Sequence, residues 1–373
     1  MTRARVLIFS VAYLPFVGGA EVAVKEITDR LPNFAFDLIT VNLSGRQKKF
    51  EKLGNVNVYR LGRGRLAKYF FPWTAFWLAR KLQKKKRYQA VWAIMANYAG
   101  LAAVKFKRHF PEIPFLLTLQ EGDDLAAVER KVRFIKSWWL DIFRRADCIQ
   151  AISNYLAEWG RQMDATCPIE VVPNGVDLNR FQVSSFRNQE KRGKIIITTS
   201  RLVYKNGIDD LVKALQFLPS NVKLRILGVG PEEWKLRQLV RSLDLDSRVE
   251  FLGHTDHVQL PQYLATADIF VRPSRSEGLG NSFLEAMAAG LPTIGTPVGG
   301  IPDFLQDSVT GWFCEVNNPS SVAEKIKYIL DPANFVQVEQ VTKTARRLVE
   351  EKYSWTTITA QMEKIFVKIA ENM

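Results

Sequence analysis

Two α/β domains, each a parallel sheet covered by helices, form the fold class that the sequence predicts. Three observations predict it. Short apolar runs of strand length alternate with longer segments of helical periodicity in both halves of the chain. The 373 residues exceed what one ordinary core accommodates. A polar, aperiodic stretch over 182–193, QVSSFRNQEKRG, separates the two series and reads as a linker.

In the first half, strands are expected over 6–11, 36–41, 91–95, 115–119, 148–152 and 170–172. They are almost continuously apolar, as strands buried on both faces must be, so the sheet is expected to be parallel. After the first strand come Gly18, Gly19, Ala20 and Glu21, with a helix expected from Val22. The glycine pair permits close backbone approach, or simply shapes the turn. A helix over 72–87 would turn Ala75, Leu78 and Leu82 inward and Trp73, Phe76, Trp77, Arg80, Lys84 and Arg87 outward. The aromatic segment 134–143 is expected to place Ile135, Trp139 and Phe143 in the core. In the second half, strands are expected over 194–199, 223–227, 249–252, 268–271 and 293–295. The tail 353–373 shows apolar residues at helical intervals. The domains are therefore expected over 1–186 and 187–352, with a terminal helix over 353–373.

Composition narrows the function. Cys148, Cys167 and Cys314 lie far apart without metal-ligand spacing, which suggests a reducing compartment and no structural zinc. The N-terminus is expected not to be a signal peptide, and the uncharged run 90–104 is too short to span a bilayer. Residues 1–186 carry 29 Lys and Arg against 16 Asp and Glu, an excess of 13, whereas 187–373 carry 23 against 22. The basic excess thus belongs to the first half. Aromatic residues beside cations on the outer face of 72–87 suit an anionic membrane surface.

The most informative segment is 268–304, DIFVRPSRSEGLGNSFLEAMAAGLPTIGTPVGGIPDF. A short buried strand is expected to end near Pro273, Gly278 and Gly280 free the backbone, and Asn281 or Ser282 would cap a helix running to Gly290. The unpaired amides and positive dipole at such a helix start suit a diphosphate. Glu277 and Glu285 would repel phosphate and are better matched to hydroxyls of a sugar and a ribose. Arg201 and Lys205 follow the strand 194–199, Gly228 and Gly230 follow 223–227, and Gly299 and Gly300 follow 293–295. Ligands of open α/β sheets bind beyond such strand ends.

These motifs resemble the family-4 retaining glycosyltransferases of the GT-B fold. Glu277 and Glu285 separated by GLGNSFL, with EAMAAGLP following, match the family's paired glutamates. Arg201 and Lys205 match its diphosphate-binding pair, Gly18 and Gly19 its glycine pair, and PNGVD at 173–177 a hallmark at the end of the first domain. The match is strong over 200–304 and 18–21, and weak over 42–139, where the acceptor would bind. The resemblance implies two Rossmann-like domains facing across a cleft, with the C-terminal helix returning to the first. It also implies a nucleotide-diphosphate sugar as substrate, with no cofactor, metal or nucleic acid. In the catalytic roles it implies, Glu277, Arg201 and Lys205 act on the donor, which Gly18, Gly19, Gln120, Gly228, Gly230, Gly280, Asn281, Ser282 and Glu285 would bind. The base would lie near 248–254, and neither His254 nor His257 is assigned a catalytic role. Gln120 departs from the histidine of many relatives; it can hydrogen-bond a hydroxyl but cannot titrate as histidine does. The acidic run Glu121, Asp123, Asp124 lacks a convincing metal signature.

The resulting expectation is a hexosyltransferase acting on a lipid-linked or polysaccharide acceptor at the cytoplasmic membrane face. Trp73, Trp77, Arg80, Lys84 and Arg87 would provide its membrane or acceptor contact. A sugar phosphorylase on the same fold and a non-catalytic membrane- or nucleic-acid-binding protein remain alternatives. A nicotinamide-dependent oxidoreductase fits less well, because the turn 15–21 lacks the dinucleotide glycine fingerprint.

Overall fold

The computed structural model describes residues 3–181 and 193–371, so 182–192 of the expected linker lie outside the described residues. The chain forms two compact units, residues 1–175 with 355–373 and residues 176–354.

The first unit runs β1 (Ala4–Phe9), α1 (Gly19–Asp29), β2 (Phe34–Val41), β3 (Phe50–Leu53), β4 (Val56–Leu61), α2 (Ala67–Lys86), β5 (Ala90–Ile94), α3 (Tyr98–His109), β6 (Phe115–Leu119), α4 (Leu125–Val132), α5 (Lys136–Arg144), β7 (Cys148–Ala151), α6 (Asn154–Gln162) and β8 (Ile169–Val171). Its eight strands lie in the order β3-β4-β2-β1-β5-β6-β7-β8. All neighbours are parallel except the hairpin β3–β4.

The second unit runs β9 (Lys194–Thr199), α7 (Ile208–Ala214), β10 (Val222–Leu227), α8 (Glu233–Ser242), β11 (Val249–Gly253), α9 (Leu260–Ala265), β12 (Ile269–Val271), α10 (Asn281–Ala288), β13 (Thr293–Gly295), β14 (Trp312–Phe313), α11 (Pro319–Leu330) and α12 (Phe335–Lys352). Its strands are ordered β11-β10-β9-β12-β13-β14 and are parallel throughout. The carboxyl ends of β10, β9, β12 and β13 therefore line one edge of this sheet. Their apolar side chains bury Ile196, Leu224, Ile226, Ile269, Val271 and Ile294 against the flanking helices.

The last helix, α13 (Trp355–Glu371), belongs to the first unit. Its Phe366 ring meets Phe34, Phe36 and Trp92, and Trp355, Ile358, Met362, Ile365 and Ile369 complete that core.

The unit boundary falls at Gly175 and Val176, ahead of the expected 186/187. The reason is local: Val176 bridges Ser354, its amide donates to the Tyr353 carbonyl at 2.7 Å, and Phe181 is buried with its ring against His257. The second unit likewise extends to Ser354, past the expected 352. Strands β3, β4 and β14 were absent from the sequence reading. The first two make a short hairpin with alternating exposure, and β14 spans only two residues.

The helix expected over 72–87 begins earlier, at Ala67, and contains Pro72. Arg87 is not helical; it ends α2 in the left-handed conformation, φ 52°. Phe71, Pro72, Ala75, Ala79 and Leu82 form the buried face, while Leu78 is only half-buried. Phe76 leaves the outward set, because its ring packs edge-on against His109 at 5.6 Å.

Candidate functional site

The site assembles where three loops of the second unit meet at the carboxyl edge of its sheet. Past β9 the chain makes a single 3-10 turn at Tyr204–Asn206. The Lys205 carbonyl accepts from the amides of Arg275 at 2.6 Å and Ser276 at 3.4 Å, which ties this turn to the backbone just before Glu277. The Asn206 side chain donates to the Arg201 carbonyl at 2.6 Å and closes the turn from the other side. Arg201 is exposed and Lys205 half-buried.

Arg275 clamps the same turn. Its guanidinium donates to the Tyr204 carbonyl at 2.7 Å, pairs with Asp209 at 2.8 Å and Asp210 at 2.6 Å, and lies 4.3 Å from the Tyr204 ring centre. Burial alone would raise the Asp209 carboxyl, but hydrogen bonding and charge from Arg275, then Lys213, outweigh it and hold it below its ordinary value. Burial, with Asp209 as a neighbour, raises Asp210 instead.

Glu277 is fixed by its surroundings on several sides. Gly299 adopts φ 57°, and a Cβ on it would stand 1.7 Å from the Glu277 carbonyl oxygen; that same carbonyl accepts from the Gly300 amide at 3.2 Å. Only glycine permits this approach. The Glu277 carboxylate accepts from the Gly278 amide at 3.1 Å and pairs with Arg272.

The cap of α10 differs from expectation. Neither Asn281 nor Ser282 is the N-cap; Gly280 takes that place at φ 99°, with no side-chain cap. A Cβ there would press on Phe283 at 2.8 Å and on Arg272 at 3.2 Å. Asn281 instead starts the helix, and the Ser282 hydroxyl accepts from Arg272 at 2.7 Å. The Glu285 carboxylate, one turn on, accepts from His257 Nε2 at 2.7 Å.

Gly228 and Gly230 serve their own neighbours. A Cβ on either would meet the backbone at Ser200 or Leu202, at 1.8 Å and 2.2 Å, so they let the loops after β9 and β10 pack together.

In the first unit, Gly18 is the N-cap of α1 and Gly19 its first residue, three positions ahead of the expected Val22. The Gln120 amide donates to Asn174 Oδ1 at 2.6 Å, and its own carbonyl oxygen is buried without a hydrogen bond among the described residues. The acidic run is dispersed by the fold. Asp124 caps α4, accepting from the Ala127 amide at 2.6 Å. Glu121 turns inward and accepts from the amides of Ala96 at 2.7 Å and Gln120 at 2.9 Å. Burial pushes its carboxyl up to about 7 against the pull of those amides. Among the described residues no group of three or more His, Cys, Asp or Glu gathers as a metal site.

The outer face of α2 exposes Trp73 at 45% and Trp77 at 55%, with Arg80 5.5 Å from the Trp77 ring centre. Arg80 itself is half-buried, whereas Lys84 and Arg87 are exposed. Trp73 meets Trp138 at 5.8 Å, and Lys105 lies 5.4 Å from its ring. Trp139 and Phe143 are core, as the sequence suggests, but Ile135 is exposed beside Phe134, which is 86% exposed. No helix among the described residues is long and apolar enough to cross a membrane.

Sequence reasoning missed Arg272 and Arg275, named His257 without a role, and took Asn174 only as part of the motif at 173–177. For Arg272 a visible signal existed, a single charge at the end of the apolar run IFVRP.

Comparison with known proteins agrees with this geometry. Residues 17–180 match the model described as Glycosyltransferase Family 4, and 181–364 match Glycosyl transferases group 1. The chain is 27% identical to the N-acetyl-alpha-D-glucosaminyl L-malate synthase of Bacillus anthracis, over 95% of each protein. Its structure resembles sucrose-phosphate synthase from Thermosynechococcus elongatus, with TM-score 0.86, 21% identity and 100% of each chain covered. It also resembles HepE of Anabaena in complex with UDP and glucose, with TM-score 0.80 and 19% identity, over 98% of this chain and 100% of that one. The two family models meet end to end across both units, and the chain belongs to the family-4, group 1 glycosyltransferases, with the GT-B fold.

Proposed function

We propose that this glycosyltransferase is a retaining, metal-independent hexosyltransferase that takes its sugar from a nucleotide diphosphate. The observation that carries the reading is the bonding of the Lys205 turn to the backbone at 275–276, beside Glu277 and the uncapped start of α10. A cation, a carboxylate and the positive end of a helix without a side-chain cap are thereby held at one strand edge, the charge pattern a sugar diphosphate requires. The Anabaena protein solved with UDP and glucose gives an example of such ligands on this fold.

In this reading Arg201, Lys205 and the amides at the start of α10 stabilise the departing diphosphate, Glu277 orients the sugar and Glu285 the ribose. The acceptor oxygen bonds to the anomeric carbon from the side on which the carbon–oxygen bond to phosphate breaks. Its proton passes to a phosphate oxygen, so no enzyme nucleophile is needed. Arg201, Lys205 and the helix start supply the positive charge, and no metal or other cofactor is invoked. The acceptor is lipid-linked or a polysaccharide, met at the cytoplasmic membrane face through Trp73, Trp77, Arg80, Lys84 and Arg87. The aromatic and basic surface of α2 and the charge excess of residues 1–186 support that part.

The test is a thermal-shift panel of nucleoside diphosphates and nucleotide-sugars, followed by transfer or hydrolysis assays. One diphosphate series should stabilise the protein selectively, and turnover should persist in excess chelator. Glu277→Gln and Lys205→Ala should each lower turnover about a hundredfold in folded protein. Wild-type turnover in either variant removes that residue from the site, and metal-reversible loss in chelator refutes metal independence.

A further inference from the structure

We propose that Arg272 is a positioning residue for the transfer reaction, holding the Glu277 carboxylate in the orientation that engages the donor sugar. The inference rests on the reading of Glu277 as a sugar ligand.

Arg272 is the first residue past β12, and its amide donates to the Ile294 carbonyl at 3.1 Å, which anchors it to the sheet. Its side chain is 7% exposed. Arginine is almost never buried unless paired, because its desolvation is costly. Here every part of the guanidinium has a partner. Nε donates to the Ser274 hydroxyl at 3.2 Å, Nη1 to Ser282 at 2.7 Å and Nη2 to Glu277, while the group lies 4.6 Å from the Phe283 ring centre. One planar cation thus joins a strand end, the loop after it and the first turn of α10. The left-handed Gly280 makes room for it, since a Cβ there would press on both Phe283 and Nη2.

The consequence falls on Glu277. One carboxylate oxygen is engaged by Arg272 and the other accepts from the Gly278 amide, so the group is held against rotation at both ends. Each oxygen keeps a lone pair for a sugar hydroxyl. A carboxylate already fixed need not be ordered when the donor binds, which is the benefit of preorganisation. Arg272 itself is spent on Glu277 and the two serines, so it acts through Glu277.

The proposal predicts a coupling. Donor turnover and affinity for a nucleoside diphosphate without sugar, UDP or GDP as whichever stabilises the wild type more, would be measured for wild type, Arg272→Met, Arg272→Lys, Glu277→Gln and the Arg272→Met/Glu277→Gln double variant. Arg272→Met should lose about a hundredfold in kcat, as Glu277→Gln does, while nucleoside diphosphate affinity stays within about threefold. Arg272→Lys should recover part of the loss. In the double variant, loss of Arg272 should add nothing to the cost of Glu277→Gln, because the two act as a unit.

A further tenfold loss in the double variant, or wild-type kcat in Arg272→Met, overturns the proposal. Equal weakening of nucleoside diphosphate binding and turnover also overturns it, since that is what general disruption would do. Should Arg272→Met fail to fold with Glu277 left unpaired, the double variant, in which both charges are gone, still decides by comparison with Glu277→Gln. A wild type that binds no nucleoside diphosphate refutes the donor reading as a whole. One that binds and turns over while the coupling is absent refutes only the role of Arg272.

Discussion

At the scale of single residues, Glu121 shows how a carboxylate becomes part of the scaffold. It joins the amides of Ala96 and Gln120, at the ends of β5 and β6, and its carboxyl is raised from 4.5 to about 7 by burial. Below about pH 4.5 the group is protonated in both folded and unfolded chains, and its favourable contribution is fully present. As pH rises toward 7 the unfolded chain releases the proton first, so that contribution is lost. Wild type should therefore lose stability relative to Glu121→Gln between pH 5 and pH 8, by as much as about 3 kcal/mol in denaturant titrations. A difference that stays constant with pH would show that Glu121 does not titrate in this window. The sequence displayed Glu121 only as one member of an acidic run. Its burial depends on Ala96, far away in the chain, which no local pattern reveals. Glu277, Glu285, Arg201 and Lys205 stand out in the sequence because their spacing is itself a signature. Arg272 and His257 do not, because their meaning lies in what they touch.

At the scale of elements, the strands that reached the core were read closely, and β6, β9 and β13 fall where the apolar runs place them. Hairpin β3–β4 escaped notice because its outer strand, FEKL, is short and half charged. Helix α2 starts five residues ahead of the expected 72, and the buried Pro72 is tolerated inside it, where tertiary packing outweighs the lost hydrogen bond. The end of α2 is anchored by a polar network: Lys86 bonds Asp37 at 2.7 Å and Tyr59 at 3.0 Å, and Tyr88 bonds Asp37 at 2.8 Å. With that end fixed, the exposed Trp73 and Trp77 are presented on the helix that carries Lys84 and ends at Arg87. Purified protein should sediment with anionic vesicles at low salt and be partly released as salt rises, each basic residue contributing roughly 1 kcal/mol. Trp77→Ala combined with Lys84→Glu and Arg87→Glu should weaken sedimentation without changing nucleoside diphosphate affinity. Indifference of the wild type to such vesicles would leave the basic face to a soluble acidic acceptor, or to none.

At the scale of the molecule, two domains were legible from alternation and length, but the true boundary was not. The polar stretch that looked like a divider comes after Phe181, which is already part of the second unit. The return of α13 to the first unit was suggested only by resemblance, since a terminal amphipathic helix does not say which core it covers. Its six buried side chains, Trp355, Ile358, Met362, Ile365, Phe366 and Ile369, represent on the order of 10 kcal/mol of burial, comparable with the whole stability of a domain. Deletion of 355–373 should leave the first unit protease-sensitive and able to bind hydrophobic dyes. A truncated chain with wild-type protease resistance would refute this.

That return has a consequence for the order in which the protein is made. A ribosome delivers the first unit's strands early, yet withholds one wall of their core until residues 355–373 are translated. The second unit, encoded later, has its entire sequence available first. The first unit can therefore complete its core only after the whole of the second has been synthesised, and until then Phe34, Phe36 and Trp92 lack the Phe366 ring that covers them.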